Sequence, residues 1–206
     1  MSSKNVFGKA ITVLEYPDRE ARAAAAYAAM EADDKHKQVI QYVNTLKTAY
    51  GDGISVLATI YNATGENLYF SASKEWYGKL YTGSSYPKII QNGQWGGFLH
   101  CKSSAAASGS EAAVIFRAKA NDDSSSSKGG KADVVIAWDN PWGPGASNKV
   151  YTEIGEKDKY NSSWDEVLSN LESSGASLSG FGFGLYSTAT IPQESSPVLE
   201  VVLAVE

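Results

Sequence analysis

The stretch VVIAWDNPWGPGASNKVY, residues 134–151, carries the strongest signals for the fold of this chain. It opens with an apolar run typical of a buried strand, and an Asp-Asn-Pro turn follows. Proline fixes the backbone angle φ and has no N–H to donate to a sheet, so Pro141 should end the strand. We therefore expect Trp138 to end a strand and Trp142 to begin the next loop, one ring facing the core and the other facing solvent.

Outward from this stretch, short apolar segments separated by turn residues predict a mainly β fold. Such runs recur at roughly regular spacing from Gly53 to the C-terminus, which is typical of a sandwich or a barrel. An Asn-Gly pair at 92–93 predicts a turn between two short strands. The last run, PVLEVVLAVE, is predicted to be a strand buried on both faces, and residues 121–131 are predicted to be a polar loop.

Residues 1–50 have a different pattern, which predicts helices. The segment DREARAAAAYAAMEADD is rich in alanine, the strongest helix former, and Pro17 precedes it. The following segment has apolar residues at helical spacing, and Gly51 can end that helix. We interpret residues 1–50 as a helical arm packed on the core, and residues 51–206 as a β-sandwich binding domain.

One further helix is predicted inside the β domain, at about residues 163–174. Its segment, NSSWDEVLSNLESSG, places apolar residues on one helical face. Ser163 with Glu166 three residues later has the pattern of a capping box. Trp164 is therefore expected to lie in the core.

Composition and charge exclude several classes of protein. The 206 residues carry a formal net charge of −5, which disfavours broad nucleic-acid binding and a polybasic membrane anchor. Cys101 is the only cysteine, so no intrachain disulfide can form and a reducing compartment is favoured. The N-terminus lacks the pattern of a signal peptide, and no apolar run approaches the roughly 18 residues of a membrane-spanning helix. We expect a cytoplasmic protein, or a peripheral one at membranes.

Patterns for catalysis and metal binding are missing from the sequence. Of the two histidines, His36 is interpreted as a solvated surface residue, and His100 adjoins Cys101 in a strand, where neighbouring side chains point to opposite faces. The sequence contains no Gly-x-Ser-x-Gly elbow, no Cys-x-x-Cys pair and no His-Glu-x-x-His motif. We therefore expect a non-enzymatic protein with no cofactor and no metal.

Aromatic residues beside glycines and turns are the remaining unusual feature. The segment EWYGKLY carries Trp76, Tyr77 and Lys79, and NGQWGGF carries Trp95. Aromatic faces on loops can stack on sugars or hold an ammonium group by cation–π attraction, and Trp and Tyr favour the headgroup level of membranes. With the two tryptophans of the opening stretch, these residues are candidates for binding a lipid headgroup or a glycan; the alternative is that they fill the ends of the core.

The order and spacing of four motifs resemble the aegerolysin-like fold over about residues 54–205. These motifs are EWYGKLY, NGQWGGFLH, SAAASGSEAAVIF and IAWDNPWGPGASNKVY. A closer resemblance, from about Lys35 to the C-terminus, is to the plant 23 kDa jasmonate-induced proteins, which share YNATG, NGQW, ASGS and the stretch from NPW to YTEI. The resemblance implies an acidic, aegerolysin-like antiparallel β-sandwich with an N-terminal helical arm and one inserted helix.

The same resemblance implies a function and a set of site residues. Aegerolysins bind membrane lipids, chiefly sphingolipids, and some act with a pore-forming partner protein; the plant proteins are induced by stress and jasmonate. Matched by motif, the headgroup contacts of the family correspond to Trp76, Lys79, Trp138, Asp139 and Trp142. Asn148 follows the Trp-rich segment as in the family, whereas Ser108 replaces an acidic residue that some members carry. The alternative function is a structural or interaction protein that forms a homodimer or docks a partner through its N-terminal helices.

Overall fold

The computed structural model describes residues 5–103, 108–121, 130–143 and 145–206. Its helices are α1 (Arg19–Ala28), α2 (Lys35–Tyr50) and α3 (Trp164–Glu172). Its strands are β1 (Val6–Phe7), β2 (Ser55–Ala63), β3 (Leu68–Tyr77), β4 (Lys79–Leu80), β5 (Ile89–Ile90), β6 (Trp95–Cys101), β7 (Ser110–Lys119), β8 (Lys131–Asn140), β9 (Lys149–Glu156), β10 (Ser177–Gly182), β11 (Leu185–Thr190) and β12 (Val198–Val205). Most of the predicted polar loop, residues 122–129, lies outside the described residues.

The strands form two sheets that pack face to face, as expected for an aegerolysin-like sandwich. The seven-stranded sheet has the order β1-β6-β2-β12-β11-β10, with β4 also paired to β6, and the five-stranded sheet has the order β5-β3-β7-β8-β9. Among the described strands, β12 and β2 are the one pair that runs parallel, so the sandwich is not purely antiparallel. The predicted turn at residues 92–93 is present, but β5 and β6 on either side of it belong to different sheets.

Alternating side chains from both sheets fill the space between them. Phe116 of β7 and Ile136 of β8 meet Val201 of β12 in one buried cluster. Along β12 the inward positions are buried, but Glu200 and Val202 on the other face are only half-buried. The prediction that this strand is buried on both faces is therefore wrong at its outer face, which the helices cover only in part.

Helices α1 and α2 pack on the outer face of the seven-stranded sheet. Val39 and Val43 are fully buried, and the helix ends at Gly51, whose φ of 89° favours glycine, as predicted. Gly97 of β6 allows the close approach, since a Cβ there would lie 2.8 Å from a methyl carbon of Val39. Because β1 pairs with β6, the N-terminal segment also contributes a strand to the sandwich. The division into two parts at residue 50 stays a prediction.

The interpretation of His36 as a solvated residue is wrong. Its ring stacks on Trp95 with the ring centres 4.5 Å apart. Its Nε2 lies 2.9 Å from a carboxylate oxygen of Glu200, and its Nδ1 lies 3.1 Å from one of Glu31. His36 therefore ties the start of α2 to β12, which no local pattern in a charged segment could indicate.

Helix α3 covers the outer face of the five-stranded sheet. Val167 and Leu171 are buried there, and Trp164 packs edge to face on Trp76 with the ring centres 6.4 Å apart. Trp164 is partly buried against this cluster, so the expectation that it is a core residue is confirmed only in part. The predicted capping box does not form, because the Ser163 hydroxyl donates to the carbonyl of Lys159 instead of accepting from the first turn of the helix.

Candidate functional site

The clearest candidate site is a cleft at one end of the five-stranded sheet. The end of β3, the start of β7 and the end of β8 meet there, next to the loop that follows Pro141. The cleft has a volume of about 300 Å³, and its lining residues are Tyr77, Ser108, Gly109, Glu111, Asp139, Pro141 and Trp142. We call it the Trp142 cleft.

A row of four residues runs along the floor and edge of the Trp142 cleft. Tyr77 lies opposite Glu111, Glu111 opposite Asp139, and Asp139 opposite Lys149, on four neighbouring strands. Residues directly opposite each other on neighbouring strands project from the same face of a sheet. The strand register therefore brings one phenol, two carboxyls and one ammonium together on this face.

Glu111 is the most buried charged group of the Trp142 cleft. The residue is only 6% exposed, yet no described group donates a hydrogen bond to its carboxyl. Burial raises the pKa of Glu111 to about 7, and the like charges of Asp139 and Glu172 add to the rise, while Lys149 opposes it. A carboxyl that lines a cavity, and that receives no hydrogen bond from the described residues, can accept a cation or a hydrogen-bond donor from a ligand.

Asp139 is the second carboxyl of the pair, and its charge is also disfavoured. Burial raises its pKa to about 6, against the opposing effect of Lys149, and Glu172 at the end of α3 adds to the rise. The single Lys149 ammonium cannot balance the charge of both carboxylates, and it donates a hydrogen bond to the backbone carbonyl of Glu172. The Trp142 cleft therefore has an excess of negative charge when both carboxyls are ionised.

The wall of the Trp142 cleft is built by the Pro141–Trp142 turn. Trp142 is 55% exposed and separates this cleft from a second cavity of about 480 Å³ on the side of residues 193–195. Gly109 lets the start of β7 approach the turn, since a Cβ there would lie 2.1 Å from the Asn140 carbonyl oxygen. The Asn140 side chain donates to the carbonyls of Ser55 and Ser195, which fixes the base of the turn.

Four of the predicted site residues meet at the Trp142 cleft: Tyr77, Ser108, Asp139 and Trp142. Three others lie elsewhere. Trp76 packs beneath α3, Lys79 is exposed on β4 at the edge of the other sheet, and Trp95 is buried beneath α1 and α2, where its indole N–H donates to the Met30 carbonyl.

The remaining two predicted site residues have structural contacts. Trp138 is fully buried between the sheets, and its indole N–H donates to the Ser110 hydroxyl at 3.2 Å. Asn148 lines the second cavity rather than the Trp142 cleft, and its side-chain amide donates to the carbonyls of Pro192 and Glu194. The expectation that one of the two tryptophans of the 134–151 stretch faces the core and the other faces solvent is confirmed.

Sequence reasoning missed Glu111 and Lys149. Each is a charged residue at the start of an apolar strand, a position where a charged side chain is usually exposed to solvent. The sequence signal that was available was Glu111 directly before the apolar run AAVIF. Only the register of β7, β8 and β9 shows that these two residues flank Asp139.

A serine and a histidine also lie in contact inside the sandwich. Nδ1 of His100 is 2.9 Å from the Ser110 hydroxyl, but both residues are fully buried, and burial lowers the pKa of His100 to about 3. The Ser110 hydroxyl also accepts from Trp138 and lies between the two sheets. We therefore interpret His100 and Ser110 as part of a hydrogen-bond network in the core.

Among the described residues, no cluster of three or more His, Cys, Asp or Glu side chains could hold a metal ion. No helix in that part of the chain is both long and apolar enough to cross a membrane.

Comparison with known proteins identifies relatives over nearly the full chain. A family model described as Nakanori-like protein matches residues 5–205. A 23 kDa jasmonate-induced protein of Hordeum vulgare is 40% identical over 165 residues, which cover 79% of this chain and 75% of that protein. The crystal structure of the lipid binding protein Nakanori superposes with a TM-score of 0.83 at 24% identity, covering 97% of this chain and 99% of that one. The last match supports the fold alone, because its identity is low.

Proposed function

The chain belongs to the Nakanori-like protein family, and from that membership we propose that it is a lipid-binding, stress-related protein whose Trp142 cleft holds the ammonium group of a lipid headgroup. The observation that carries the proposal is Glu111, a residue only 6% exposed whose carboxyl opens into this cleft and receives no hydrogen bond from the described residues. Nakanori has the same fold and is described as a lipid binding protein, which supports lipid as the ligand class.

The charge of the cleft favours a cationic group over an anionic one. Ionised Glu111 and Asp139 outnumber the one ammonium of Lys149 in their row, so a phosphate or sulfate placed between the carboxylates would be repelled. An ammonium placed there relieves the repulsion between the two carboxylates and gives Glu111 a cationic partner.

The aromatic residues complete a site for an ammonium at a membrane surface. Tyr77 and Trp142 are both exposed at the rim of the cleft. Their ring faces attract a quaternary or primary ammonium by cation–π contact, and their apolar edges suit the boundary between headgroups and acyl chains. The Ser108 hydroxyl supplies a neutral hydrogen-bonding group at the same rim, in place of the acidic residue that some relatives carry.

This assignment makes the chain a non-enzymatic binding protein. The proposed site needs no covalent step, and the buried Ser110–His100 pair offers no route for a substrate. We place the protein in the cytoplasm, where it would attach peripherally to a membrane. A pore-forming partner protein would be recruited after lipid binding, and none is needed for the headgroup contact itself.

Vesicle flotation tests the proposal directly. Wild-type protein should float with vesicles of phosphatidylcholine, phosphatidylethanolamine or sphingomyelin, whose headgroups carry an ammonium, and should not float with vesicles of phosphatidylglycerol alone. Free phosphocholine should compete. Glu111→Gln keeps the shape of the side chain but removes its charge, so it should lose binding by at least tenfold. Binding to phosphatidylglycerol only, or equal binding by Glu111→Gln, would contradict the proposal.

A glycan is the second ligand that the exposed aromatic rings could suit. The cavity on the other side of Trp142 has a mixed lining that includes the polar residues Gln193 and Glu194, and the ring could stack on a sugar there. A glycan array distinguishes the two ligands, because glycan binding should survive Glu111→Gln, whereas ammonium binding should not.

The interaction function through the N-terminal helices is less well supported. The apolar residues Val39 and Val43 of α2 are buried on the protein's own sheet. They are therefore not available to a partner unless α2 leaves the sheet, which would expose Trp95 as well.

A further inference from the structure

A tight turn near the N-terminus presents apolar side chains to solvent. Leu14 is 92% exposed and Val13 is 58% exposed, and Tyr16 beside them is also exposed. We call residues 12–16 the apolar tip. Because folding removes almost none of the Leu14 side chain from water, Leu14 contributes almost no hydrophobic stabilisation to the isolated fold.

Hydrogen bonds hold the apolar tip in one shape. The N–H groups of Glu15 and Tyr16 donate to the carbonyl of Thr12, and the Thr12 N–H donates back to the Glu15 carboxylate. The Lys9 ammonium forms an ion pair with the same carboxylate. These bonds pair the N–H groups of Thr12, Glu15 and Tyr16 and the Thr12 carbonyl within the turn, so these polar groups stay paired when the apex enters an apolar medium.

Both sides of the apolar tip are attached to the sandwich. On one side, the Ile11 N–H donates to the Asn92 carbonyl, and the Asn92 side chain donates back to the Ile11 carbonyl. On the other side, the Arg22 guanidinium donates to the Tyr16 carbonyl at 2.8 Å. The tip therefore projects from a fixed base and does not belong to a free N-terminal tail.

The strand register places the apolar tip at the opposite end of the sandwich from the Trp142 cleft. The tip is attached to Asn92, in the turn that precedes β6, and lies next to the turn between β2 and β3. The cleft lies where β3 and β8 end and β7 starts. The ten residues of β3 span the distance between these ends, roughly 30 Å at about 3.3 Å a residue.

We infer that the apolar tip is a second membrane-contacting site, with a lipid bilayer as its partner, so that one molecule can bridge two bilayers. The bridging rests on the proposed function, because it needs the Trp142 cleft to hold the first bilayer. A bilayer suits the tip better than a second protein does. Stable protein interfaces use about 20–30 residues a side, whereas a few apolar side chains on a firm turn are enough to enter the headgroup boundary.

Vesicle clustering tests the bridging, with flotation measured in parallel. Vesicles of phosphatidylcholine and sphingomyelin are mixed with the protein, and turbidity and dynamic light scattering follow the growth in particle size. Wild type is expected to float with the vesicles and to cluster them. Leu14→Glu should lower the rate of clustering at least tenfold while leaving flotation within about twofold. Phe181→Glu is the matched control, because it places the same charge at a 64% exposed apolar residue outside the tip, and it should cluster vesicles like wild type.

The outcomes separate this inference from the proposed function. Wild type that floats without clustering overturns the bridging and leaves the headgroup site intact, as does Leu14→Glu that clusters vesicles normally. Absence of flotation overturns both. Light scattering without lipid tests the competing occupant: if Leu14→Glu converts a lipid-free dimer to a monomer, the tip docks a second copy and the inference is wrong. Thermal melting checks that each variant is folded.

Discussion

Glu111 and Asp139 lie directly opposite each other on neighbouring antiparallel strands, and both line the Trp142 cleft. Like charges in this arrangement destabilise a sheet, and burial adds to the cost. The pair therefore lowers the stability of the unliganded fold at the pH where both are ionised. A feature that costs stability and opens into a cleft is expected of a binding site rather than of a structural contact.

Replacing Glu111 by Gln should stabilise the protein at pH 8 while removing ammonium binding. The pKa of Glu111 is about 7 in the folded chain against an ordinary value of 4.5, so its contribution to stability is greatest below pH 4.5 and is lost as the pH rises through 7. Since one pKa unit corresponds to about 1.4 kcal/mol and the cleft is open to solvent, we expect a gain of ~1–2 kcal/mol at pH 8. Urea unfolding at pH 4 and pH 8 measures it.

The control for Glu111→Gln is Glu20→Gln, which changes the same group at an exposed position of α1. It should leave headgroup binding unchanged and should not become more stabilising as the pH rises from 4 to 8. A destabilised Glu111→Gln at pH 8 would mean that the Glu111 carboxylate makes a favourable contact in the unliganded fold.

Binding of an ammonium headgroup should strengthen as the pH rises from about 5 to 8. The cation favours the ionised carboxyls, and the pKa values of about 6 for Asp139 and about 7 for Glu111 place their ionisation in this range. Calorimetry with phosphocholine should show protons released on binding at pH 6 and fewer at pH 8. Asp139→Asn should remove part of this dependence. Affinity that grows toward acid pH would contradict the assignment of a cation to the cleft.

Mutation of the two tryptophans of the 134–151 stretch should affect different properties, namely vesicle binding for Trp142 and stability for Trp138. Trp142→Ala removes an exposed ring, so stability should change by less than about 0.5 kcal/mol while vesicle binding falls. Trp138→Ala leaves a cavity between the sheets and should destabilise the fold by about 3–5 kcal/mol. Iodide should quench the fluorescence of Trp142 in the free protein, and vesicles should protect it. Equal loss of stability in both variants would show that Trp142 is a core residue.

Local patterns were enough to predict the mainly β class, the two N-terminal helices and the helix at Trp164–Glu172, because each depends on periodicity along one segment. They were not enough for Trp95 and Trp76. Both stand within two residues of a glycine, as loop residues often do, yet α1 and α2 cover one ring and α3 covers the other. Whether a helix packs over a given strand depends on long-range contacts that a single sequence does not display.

The candidate site was also predictable only in part, because some of its residues have a local sequence signal and others are brought together by strand register. Trp142 and Asp139 stand at a proline turn, which ends a strand wherever it occurs. Glu111 could be assigned only from the register of β7 against β8. The segment between these strands spans residues 120–130, and its length does not fix which residues of the two strands face each other. A shift of one residue would have placed Ala112 beside Asp139.

The Arg117 guanidinium forms one ion pair with a buried carboxylate and one with an exposed carboxylate, so the stability contributions of the two pairs can be compared. It donates two hydrogen bonds to Asp133, which is 1% exposed, and one to the exposed Asp158. Asp133 also accepts from the Asp158 N–H, so Asp133→Asn disturbs two elements and should cost about 3 kcal/mol in urea unfolding. Asp158→Asn should cost less than about 1 kcal/mol, because solvent screens that pair. Equal costs would mean that the guanidinium is positioned by its exposed partner, and that the link between β7 and the 157–161 loop depends on Asp158.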